Sequence, residues 1–226
     1  MKVRELFDQC ATGYDRDRTK LVPGFDEFYG AALGMIPFGA DENVRVLDLG
    51  AGTGLFAAML AKILPKASFF LTDISKAMLA EAEKRFAGMP RVTFAVQEHI
   101  ELSAVAQYDL ILSALSIHHL ENHEKRMLFD KVFRALRRGG GGVFINADQA
   151  LGPTLEEEDD YERQWLKAVT ASGLPMESVA QARERMREDR NATLDDQLKW
   201  LAETGCKKVH CVYRRYRFVV YGGRKT

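Results

Sequence analysis

The sequence predicts an α/β fold, a doubly wound, Rossmann-like sheet of seven strands with helices on both faces. Between residues 44 and 148, short apolar runs alternate with helical segments, as parallel strands covered on both faces do. Beyond residue 206, two apolar runs flank a pair of arginines, which predicts an antiparallel hairpin that completes the sheet. The run RVLDLGAGTGLF, residues 45–56, leads from a strand through a glycine-rich turn into a helix.

The individual elements follow from apolar periodicity and from the residues that end each run. Helices are predicted at 25–36, 55–64, 76–86, 122–136 and 194–204. The five parallel strands are the apolar runs VRVLDL, SFFLTDI, RVTFAVQ, YDLILSA and GGVFINAD. The hairpin is VHCVYRRYRFVVYGG, with its turn around Arg214 and Arg215.

The chain is predicted to form a single domain, residues 1–226, with four parts. Residues 1–43 form a helical lid in which TGYDRDRTKLVPGF is rich in turns, and residues 44–148 form a cofactor-binding core. Residues 149–205 form a helical substrate cap inserted between strands five and six, and residues 206–226 form the terminal hairpin. Short connections and the absence of repeats favour one domain over two.

Composition limits the class of protein. The 226 residues include 32 Lys and Arg against 32 Asp and Glu, a balance that argues against nucleic acid as the main partner while leaving a local basic face open. The sequence has neither a signal peptide nor an apolar run of membrane-spanning length, and three cysteines form no even framework. We therefore expect a cytoplasmic protein without membrane contact. Whether it forms a homodimer is left open.

The glycine turn has an unusual spacing. Gly50, Gly52 and Gly54 give G-x-G-x-G, whereas a dinucleotide turn has a small residue at the sixth position, where Leu55 stands here. A phosphate-binding Walker loop needs Lys followed by Ser or Thr after its last glycine, and both are missing. Both phosphate interpretations are weakened by spacing alone.

Acidic residues beside the turn favour a cationic nucleoside. Asp48 precedes Gly50 near the end of the first strand, where a carboxylate repels a pyrophosphate and attracts the ammonium and sulfonium of S-adenosylmethionine. Small residues at Gly50, Ala51 and Gly52 allow close approach of that ligand to the backbone. Asp73 ends the second strand, where an acid accepts hydrogen bonds from ribose hydroxyls, in NAD as well as in S-adenosylmethionine.

Further cofactor contacts are predicted at the same sheet edge, because the carboxyl ends of parallel strands meet there. Ile74 and Met78 are candidates to pack on the adenine ring, and Glu98 and His99 follow the third strand. Ser113 ends the fourth strand beside the cleft.

The segment before the core offers a closing element. Tyr14 and Arg18 precede the first strand, and an arginine binds a carboxylate such as that of methionine through two hydrogen bonds. We predict that this segment is a lid that orders when cofactor binds.

The motifs VLDLGAGTG, LTDIS, the acid after the third strand, YDLILSALSIHHL and LRRGG occur in this order. Together they resemble the class I S-adenosylmethionine-dependent methyltransferases over about residues 44–148. The resemblance implies a Rossmann-like fold, S-adenosylmethionine as cofactor, and transfer of a methyl group.

The flanking segments RTKLVPGFDEFYG and LKWLAETGC resemble, more narrowly, the carboxy-S-adenosylmethionine synthases that supply a tRNA wobble-uridine modification. In that family an aromatic residue at the position of Phe25 reaches the cofactor, which implies cofactor contact here. The family also places an arginine on the late helix to bind the carboxyl group of its product, where this sequence has Trp200. The resemblance therefore carries over the fold and the cofactor residues, and not the carboxy-group reaction.

Methyl transfer is an in-line displacement that depends mainly on positioning, and it needs a general base only when the acceptor loses a proton. His118, in the loop after the fourth strand, and Asp148, at the tip of the fifth, are the candidate catalytic residues. His118 and His119 are adjacent without a visible third ligand, so no metal site is predicted.

The sequence favours a methyltransferase acting on a small molecule held under the helical insertion. A carboxy-S-adenosylmethionine synthase or a tRNA-modification-linked enzyme is the first alternative. A nicotinamide-dependent oxidoreductase is disfavoured by Asp48 and Leu55. A non-catalytic protein that binds S-adenosylmethionine is the third alternative.

Overall fold

A computed structural model of the chain describes residues 2–10, 14–139 and 141–226. Its strands form one sheet in the order β3-β2-β1-β4-β5-β7-β6, in which β1 to β5 are parallel and β7 is antiparallel to both of its neighbours. The predicted seven-stranded, doubly wound fold with a terminal hairpin is confirmed. The strands are β1 Arg45–Leu49, β2 Ser68–Asp73, β3 Val92–Val96, β4 Leu110–Ala114, β5 Gly142–Gln149, β6 Lys207–Arg215 and β7 Phe218–Lys225.

Helices cover both faces of the sheet and precede its first strand. The predicted insertion between the fifth and sixth strands is present as α7, α8 and α9. Its first two helices are separate, because Gly173, with a φ of 71°, and Pro175 interrupt the helical backbone between them. The helices are α1 Lys2–Cys10, α2 Tyr14–Leu21, α3 Phe25–Gly34, α4 Leu55–Ile63, α5 Lys76–Arg85, α6 Asn122–Ala135, α7 Leu155–Ala171, α8 Met176–Met186 and α9 Leu194–Glu203.

The prediction that TGYDRDRTKLVPGF is rich in turns was wrong over Tyr14–Leu21, which form α2. Asp15 and Asp17 occupy the first turn of this helix, and Arg18 and Lys20 occupy its last turn. This arrangement places each charge at the end of the helix dipole that stabilises it. Ala11, Thr12 and Gly13, which the lid prediction includes, lie outside the described residues.

The inner strands of the sheet, such as β1, β4 and β5, are buried on both faces. Val46 and Leu47 of β1 point to opposite sides and enter two separate apolar clusters, as successive strand residues must. This two-sided burial explains why the parallel strands appear in the sequence as continuous apolar runs.

The strand order reverses direction between β1 and β4, where β2 lies on one side of β1 and β4 on the other. Leu49 at the end of β1 is level with Thr72 of β2 and Ser113 of β4. A crevice opens at such a switch point, at the carboxyl ends of the strands. The polar residues predicted for the site follow these strand ends.

The hairpin turn lies slightly later than predicted. Arg214 and Arg215 are the last residues of β6, and the turn is made by Tyr216, with a φ of 53°, and Arg217. The buried Arg217 guanidinium pairs with Glu158 at 3.3 Å and Glu162 at 3.0 Å, both on α7. The hairpin therefore anchors the helical insertion.

Over the described residues, every helix is too short or too polar to cross a membrane.

Candidate active site

A first cleft of about 890 Å³ opens at the switch point. Its walls combine the glycine turn, the ends of β2 and β4, the loop after β3, and the N-terminal helices. The predicted cofactor residues that line this cleft are Tyr14, Arg18, Gly50, Gly52, Asp73, Ile74, Met78, Glu98 and His99.

The backbone conformation of the turn requires glycine at three positions, and close packing excludes a side chain at two of them. Gly50, Gly52 and Gly54 have φ values of 68°, 56° and 74°, which non-glycine residues rarely adopt. A Cβ atom on Gly50 would lie 1.8 Å from Ser116 Oγ, and one on Gly54 would lie 2.8 Å from the Phe86 ring. A Cβ on Gly52 would meet no atom within 4 Å, so the backbone there leaves room for a ligand.

Asp73 joins the tip of β2 to the glycine turn. Its Oδ2 accepts a hydrogen bond from the Gly52 N–H at 2.8 Å, and its Oδ1 accepts one from the Ser75 N–H at 2.8 Å. Burial raises the pKa of Asp73, and these two N–H groups oppose the shift. Each carboxylate oxygen has a further lone pair, so Asp73 can hold the turn and still accept hydrogen bonds from ribose hydroxyls.

Asp48 and Arg18 carry unsatisfied polar atoms next to this turn. Asp48 is 1% exposed, and neither of its carboxylate oxygens accepts a hydrogen bond from a described residue. Burial raises the pKa of Asp48 to about 8, although the charge of Arg18 opposes the shift. Arg18 donates through Nη2 to the Ala114 carbonyl at 3.1 Å, while its buried Nε has no partner among the described residues. An orphaned carboxyl group and an orphaned guanidinium N–H fit a ligand that carries both an ammonium and a carboxylate.

The other end of the cleft suits a flat, weakly polar ring. Ile74, Met78 and Ile100 line it together with His99. Ser116 Oγ lies 2.9 Å from His99 Nε2, and the buried Nδ1 of His99 has no hydrogen-bond partner among the described residues. Burial lowers the pKa of His99 to about 4, so its imidazole is neutral and can exchange a hydrogen bond with a base.

The N-terminal helices are fastened over the cleft at three points. Ser75 Oγ donates to Asp8 at 2.5 Å, and Thr53 Oγ1 donates to Asp15 at 2.5 Å. Arg85 of α5 also pairs with Asp15. These contacts tie α1 and α2 to the glycine turn and to α5.

A second cleft, of about 580 Å³, lies under α7 and α8. The Trp165 Nε1–H of α7 donates to the Leu21 carbonyl at 2.9 Å, so the insertion and the N-terminal helices close over this cleft together. Phe7, Tyr14, Arg18, Leu115 and His119 line both clefts. The second cleft alone is lined by Leu21, Val22, His118, Gln149, Trp165, Ala182, Arg185, Met186, Asp189 and Phe218.

The two predicted catalytic residues contact each other. His118 Nδ1 lies 2.5 Å from Asp148 Oδ1, and His118 Nε2 lies 3.3 Å from Asp189 Oδ1. Burial alone would lower the pKa of His118, but Asp148 and Asp189 outweigh it and raise the pKa to about 10. In the structure without ligand, His118 is therefore protonated at neutral pH and is poorly suited to act as a general base.

Asp148 is fully buried, and it does not line either cleft. Burial would raise the pKa of Asp148, yet the charge of His118 outweighs this effect and lowers it. Its Oδ2 also accepts hydrogen bonds from the His118 backbone N–H at 3.2 Å and from Asn146 Nδ2 at 3.3 Å. Asp148 positions His118 and has no access to an acceptor.

Five predicted cofactor residues lie behind the walls of the first cleft and do not line it. Asp48 is the buried carboxyl group described above. Phe25 packs against the Tyr29 ring with centroids 4.7 Å apart, because it begins α3. Ser113 Oγ donates to the Leu49 carbonyl at 2.7 Å, the Ala51 N–H donates to the Thr72 carbonyl at 2.9 Å, and Gly54 packs beside Phe86.

Trp200 also lies away from both clefts. It is 4% exposed, belongs to an apolar core cluster, and has the Arg126 guanidinium 4.8 Å from its ring. The residue at this position therefore cannot contact a ligand in the first cleft.

The structure adds residues that sequence patterns did not indicate. Leu115 and Ser116 enter the first cleft directly after β4. Asp189 belongs to the charged stretch ARERMREDR, a pattern that is typical of a solvated helix face. Because α8 ends at Met186, the chain turns and brings Asp189 to the His118–His119 pair.

Comparison with known proteins gives a consistent picture. A family model described as a methyltransferase domain matches residues 46–140. The demethylmenaquinone methyltransferase of Clavibacter sepedonicus is 28% identical over 214 residues, which cover 92% of this chain and 83% of that protein. Malonyl-[acyl-carrier protein] O-methyltransferase 1 of Ilyobacter polytropus is 28% identical over 174 residues, which cover 74% of this chain and 62% of that protein.

Among solved structures, the magnesium protoporphyrin IX methyltransferase of Synechocystis with bound SAH has the same fold. Its TM-score is 0.67 at 18% identity, over 99% of this chain and 98% of that one.

Proposed function

Because the chain is a class I S-adenosylmethionine-dependent methyltransferase, we propose that it methylates a small acceptor bound in the second cleft. One observation carries this proposal: Phe7, Tyr14, Arg18, Leu115 and His119 line both clefts. A donor in the first cleft and an acceptor in the second would meet at this shared wall, which in-line transfer requires.

The cofactor residues follow from the fit described above. We assign Asp73 to the ribose, Arg18 to the carboxylate of the methionine arm, and His99 with Met78 to the adenine. Asp48 is buried behind the wall of the first cleft, so it would attract the ammonium of that arm through its charge without touching it. When bound, S-adenosylmethionine supplies an electrophilic methyl group on a positively charged sulfur.

The chain's own contribution is to position both ligands and to exclude water. The fastened helices α1 and α2 cover the first cleft, and Trp165 joins α7 to the backbone of Leu21 over the second. A closed, dry site favours displacement because competing hydrolysis is prevented and the reacting groups keep their alignment.

The second cleft suits an acceptor with an apolar body and an anionic group. Trp165, Met186 and Phe218 provide apolar surface. Arg185 lines the same cleft, and its side chain forms neither a hydrogen bond nor an ion pair with a described residue. A cation without a partner at the wall of a binding cleft is suited to bind a carboxylate.

An anionic acceptor also agrees with the state of His118. A nucleophile that is already ionised loses no proton during transfer and needs no general base. His118, held between Asp148 and Asp189 as a cation, is not required to act as one. The two curated relatives are named for demethylmenaquinone and for a malonyl group on acyl-carrier protein; the first has an apolar body and the second an acidic group.

The test is to follow a labelled methyl group. Purified protein is incubated with methyl-labelled S-adenosylmethionine and separate fractions of small metabolites, tRNA and protein. We expect label in the small-molecule fraction, enriched in acidic compounds. Arg185→Gln should reduce the label in these acidic compounds. Arg187→Gln, a matched change at an exposed position on the same segment, should leave the label unchanged.

Three outcomes would support the alternatives instead. Label in tRNA would indicate an RNA-modifying enzyme. A carboxylated product formed from prephenate without methyl transfer would indicate a carboxy-S-adenosylmethionine synthase, although Trp200 stands against it. Tight binding of S-adenosylhomocysteine without label transfer to any fraction would indicate a non-catalytic binding protein.

A further inference from the structure

Two imidazoles and one carboxylate converge at the wall of the second cleft. His118 Nε2 and His119 Nδ1 each lie 3.3 Å from Asp189 Oδ1, and one ligand atom from each residue lies within 4.8 Å of the other two. We propose that His118, His119 and Asp189 form a binding site for a divalent transition-metal ion. The ion would displace the proton that His118 carries in the metal-free chain, because histidine binds a metal as the neutral imidazole. The expectation that no metal is bound rested on the lack of a third ligand, which Asp189 now supplies.

The spacing of the three atoms suits a shared ion. Zinc binds histidine nitrogen and carboxylate oxygen at about 2.0–2.2 Å in tetrahedral geometry, so two of its ligand atoms lie about 3.3–3.5 Å apart. Both nitrogen-to-oxygen distances in the cluster agree with this value. Small side-chain rotations would complete the arrangement.

A supporting contact orients His118 toward the cluster. Asp148 Oδ1 lies 2.5 Å from His118 Nδ1, which leaves His118 Nε2 directed at Asp189. Metal-binding histidines characteristically make this contact to a carboxylate through their second nitrogen. Asp148 is itself held by Asn146 Nδ2 and by the Gln149 N–H, so the orientation is rigid.

The surroundings of His119 also support a bound ion. Its Nδ1 is buried and accepts or donates no hydrogen bond among the described residues, although it lies beside Asp189. A buried polar nitrogen without a hydrogen-bond partner calls for an unseen one. The ring is also held in place, with the Phe7 ring centroid 5.4 Å away on one side and that of His118 4.0 Å away on the other.

The donor set selects the class of metal. Two imidazole nitrogens and one carboxylate oxygen suit Zn²⁺, Co²⁺, Fe²⁺ or Mn²⁺, whereas Mg²⁺ and Ca²⁺ prefer sites made of oxygen. Catalytic zinc sites have three protein ligands and leave a further position for water or substrate. Since His118 and Asp189 line the second cleft, that position would face the acceptor. An oxygen of the acceptor would bind there and be polarised; this role, unlike the site itself, rests on the proposed function.

The experiment uses the full chain without an affinity tag. The protein is stripped with chelator, dialysed against Zn²⁺, Co²⁺ or Mg²⁺, and analysed for bound metal and for the visible absorption of Co²⁺. We expect one Zn²⁺ or Co²⁺ per chain and no Mg²⁺. Asp189→Asn and His119→Gln should each weaken Zn²⁺ binding by at least about 10-fold, and Asp148→Asn should weaken it by about 10–100-fold through loss of His118 orientation.

His123→Gln, at an exposed histidine on α6, is the control and should bind Zn²⁺ as the unaltered chain does. Thermal unfolding of every variant checks that it is folded. Wild-type protein that retains no Zn²⁺ or Co²⁺, or retains as much as Asp189→Asn does, would overturn the metal site. S-adenosylhomocysteine binding measured on the same stripped samples separates the two proposals, because its retention would leave the proposed methyltransferase function intact.

Discussion

Asp73 accepts a hydrogen bond from the backbone N–H of Gly52 at 2.8 Å, so the tip of β2 fixes the turn that follows β1. One carboxylate thereby shapes the glycine turn and lines the first cleft beside it. The two strands are adjacent and in parallel register, which brings these residues together although they are far apart in the sequence.

Replacement of Asp73 by Ala should weaken binding of S-adenosylhomocysteine by about 1.5–3 kcal/mol, the scale for hydrogen bonds to a charged group. Titration calorimetry measures this change. Asp73→Asn should lose less, because an amide oxygen still accepts one hydrogen bond, and Asp130→Asn on the exposed face of α6 should lose nothing. Equal affinities for the Ala variant and the unaltered protein would contradict the assignment of Asp73 to the ribose.

The stability of the ligand-free Asp48→Asn variant, relative to the unaltered protein, should increase as pH rises. Burial raises the pKa of Asp48 to about 8, well above the value of about 3.9 in an unfolded chain. Between these two values the folded state keeps the proton on Asp48, whereas the unfolded state releases it. The contribution of Asp48 to the free energy of unfolding is therefore fully present below about pH 4 and is lost as pH rises through about 8. The loss is at most about 1.4 kcal/mol per pH unit, and asparagine does not undergo it.

The measurement compares the melting temperatures of Asp48→Asn and of the unaltered chain at pH 5 and pH 8. Each kcal/mol corresponds to about 2–4 °C for a chain of this size, and other titrating groups cancel in the difference. A gap between the two proteins that stays constant with pH would show that Asp48 does not titrate as described.

The Asp48→Asn variant should lose affinity only for ligands that carry the amino-acid arm of the cofactor. Asp48→Asn should bind S-adenosylhomocysteine more weakly, because an ammonium then lacks its anionic partner. It should bind 5′-methylthioadenosine, which has no ammonium, as well as the unaltered protein does. If both ligands lost affinity equally, the role of Asp48 would be structural and the electrostatic explanation wrong.

Cofactor should protect the N-terminal helices from proteolysis. Asp15 bonds to Thr53 of the glycine turn and pairs with Arg85, so opening α2 exposes the first cleft and closing it traps a ligand. Trypsin should cleave at the exposed Arg16 more slowly when S-adenosylhomocysteine is present, and Asp15→Asn should speed cleavage without ligand. Identical cleavage rates with and without the ligand would exclude a lid.

Local patterns were sufficient to predict the fold and the position of the glycine turn at the first cleft. The apolar strands, the three glycines and Asp73 all lie within short stretches of sequence, and parallel strands bring their carboxyl ends to one edge. The identities of Gly50, Asp73 and His99 at the first cleft follow from this rule.

The second cleft could not be predicted in the same way. Asp189 reaches His118 only because α8 ends at Met186, and the charged sequence around it is typical of an exposed helix. Phe25, assigned to the cofactor by resemblance, begins α3 and packs on Tyr29. Long-range convergence and side-chain direction depend on how helices end and pack, which short patterns do not encode.

The most direct test of the account is a crystal structure of the chain with S-adenosylhomocysteine. We predict one molecule in the first cleft, with its ribose on Asp73, its amino-acid arm against Arg18, and its sulfur at the wall of Leu115 and His119 shared with the second cleft. A nucleoside bound elsewhere, or a sulfur directed away from the second cleft, would contradict methyl transfer to an acceptor bound there.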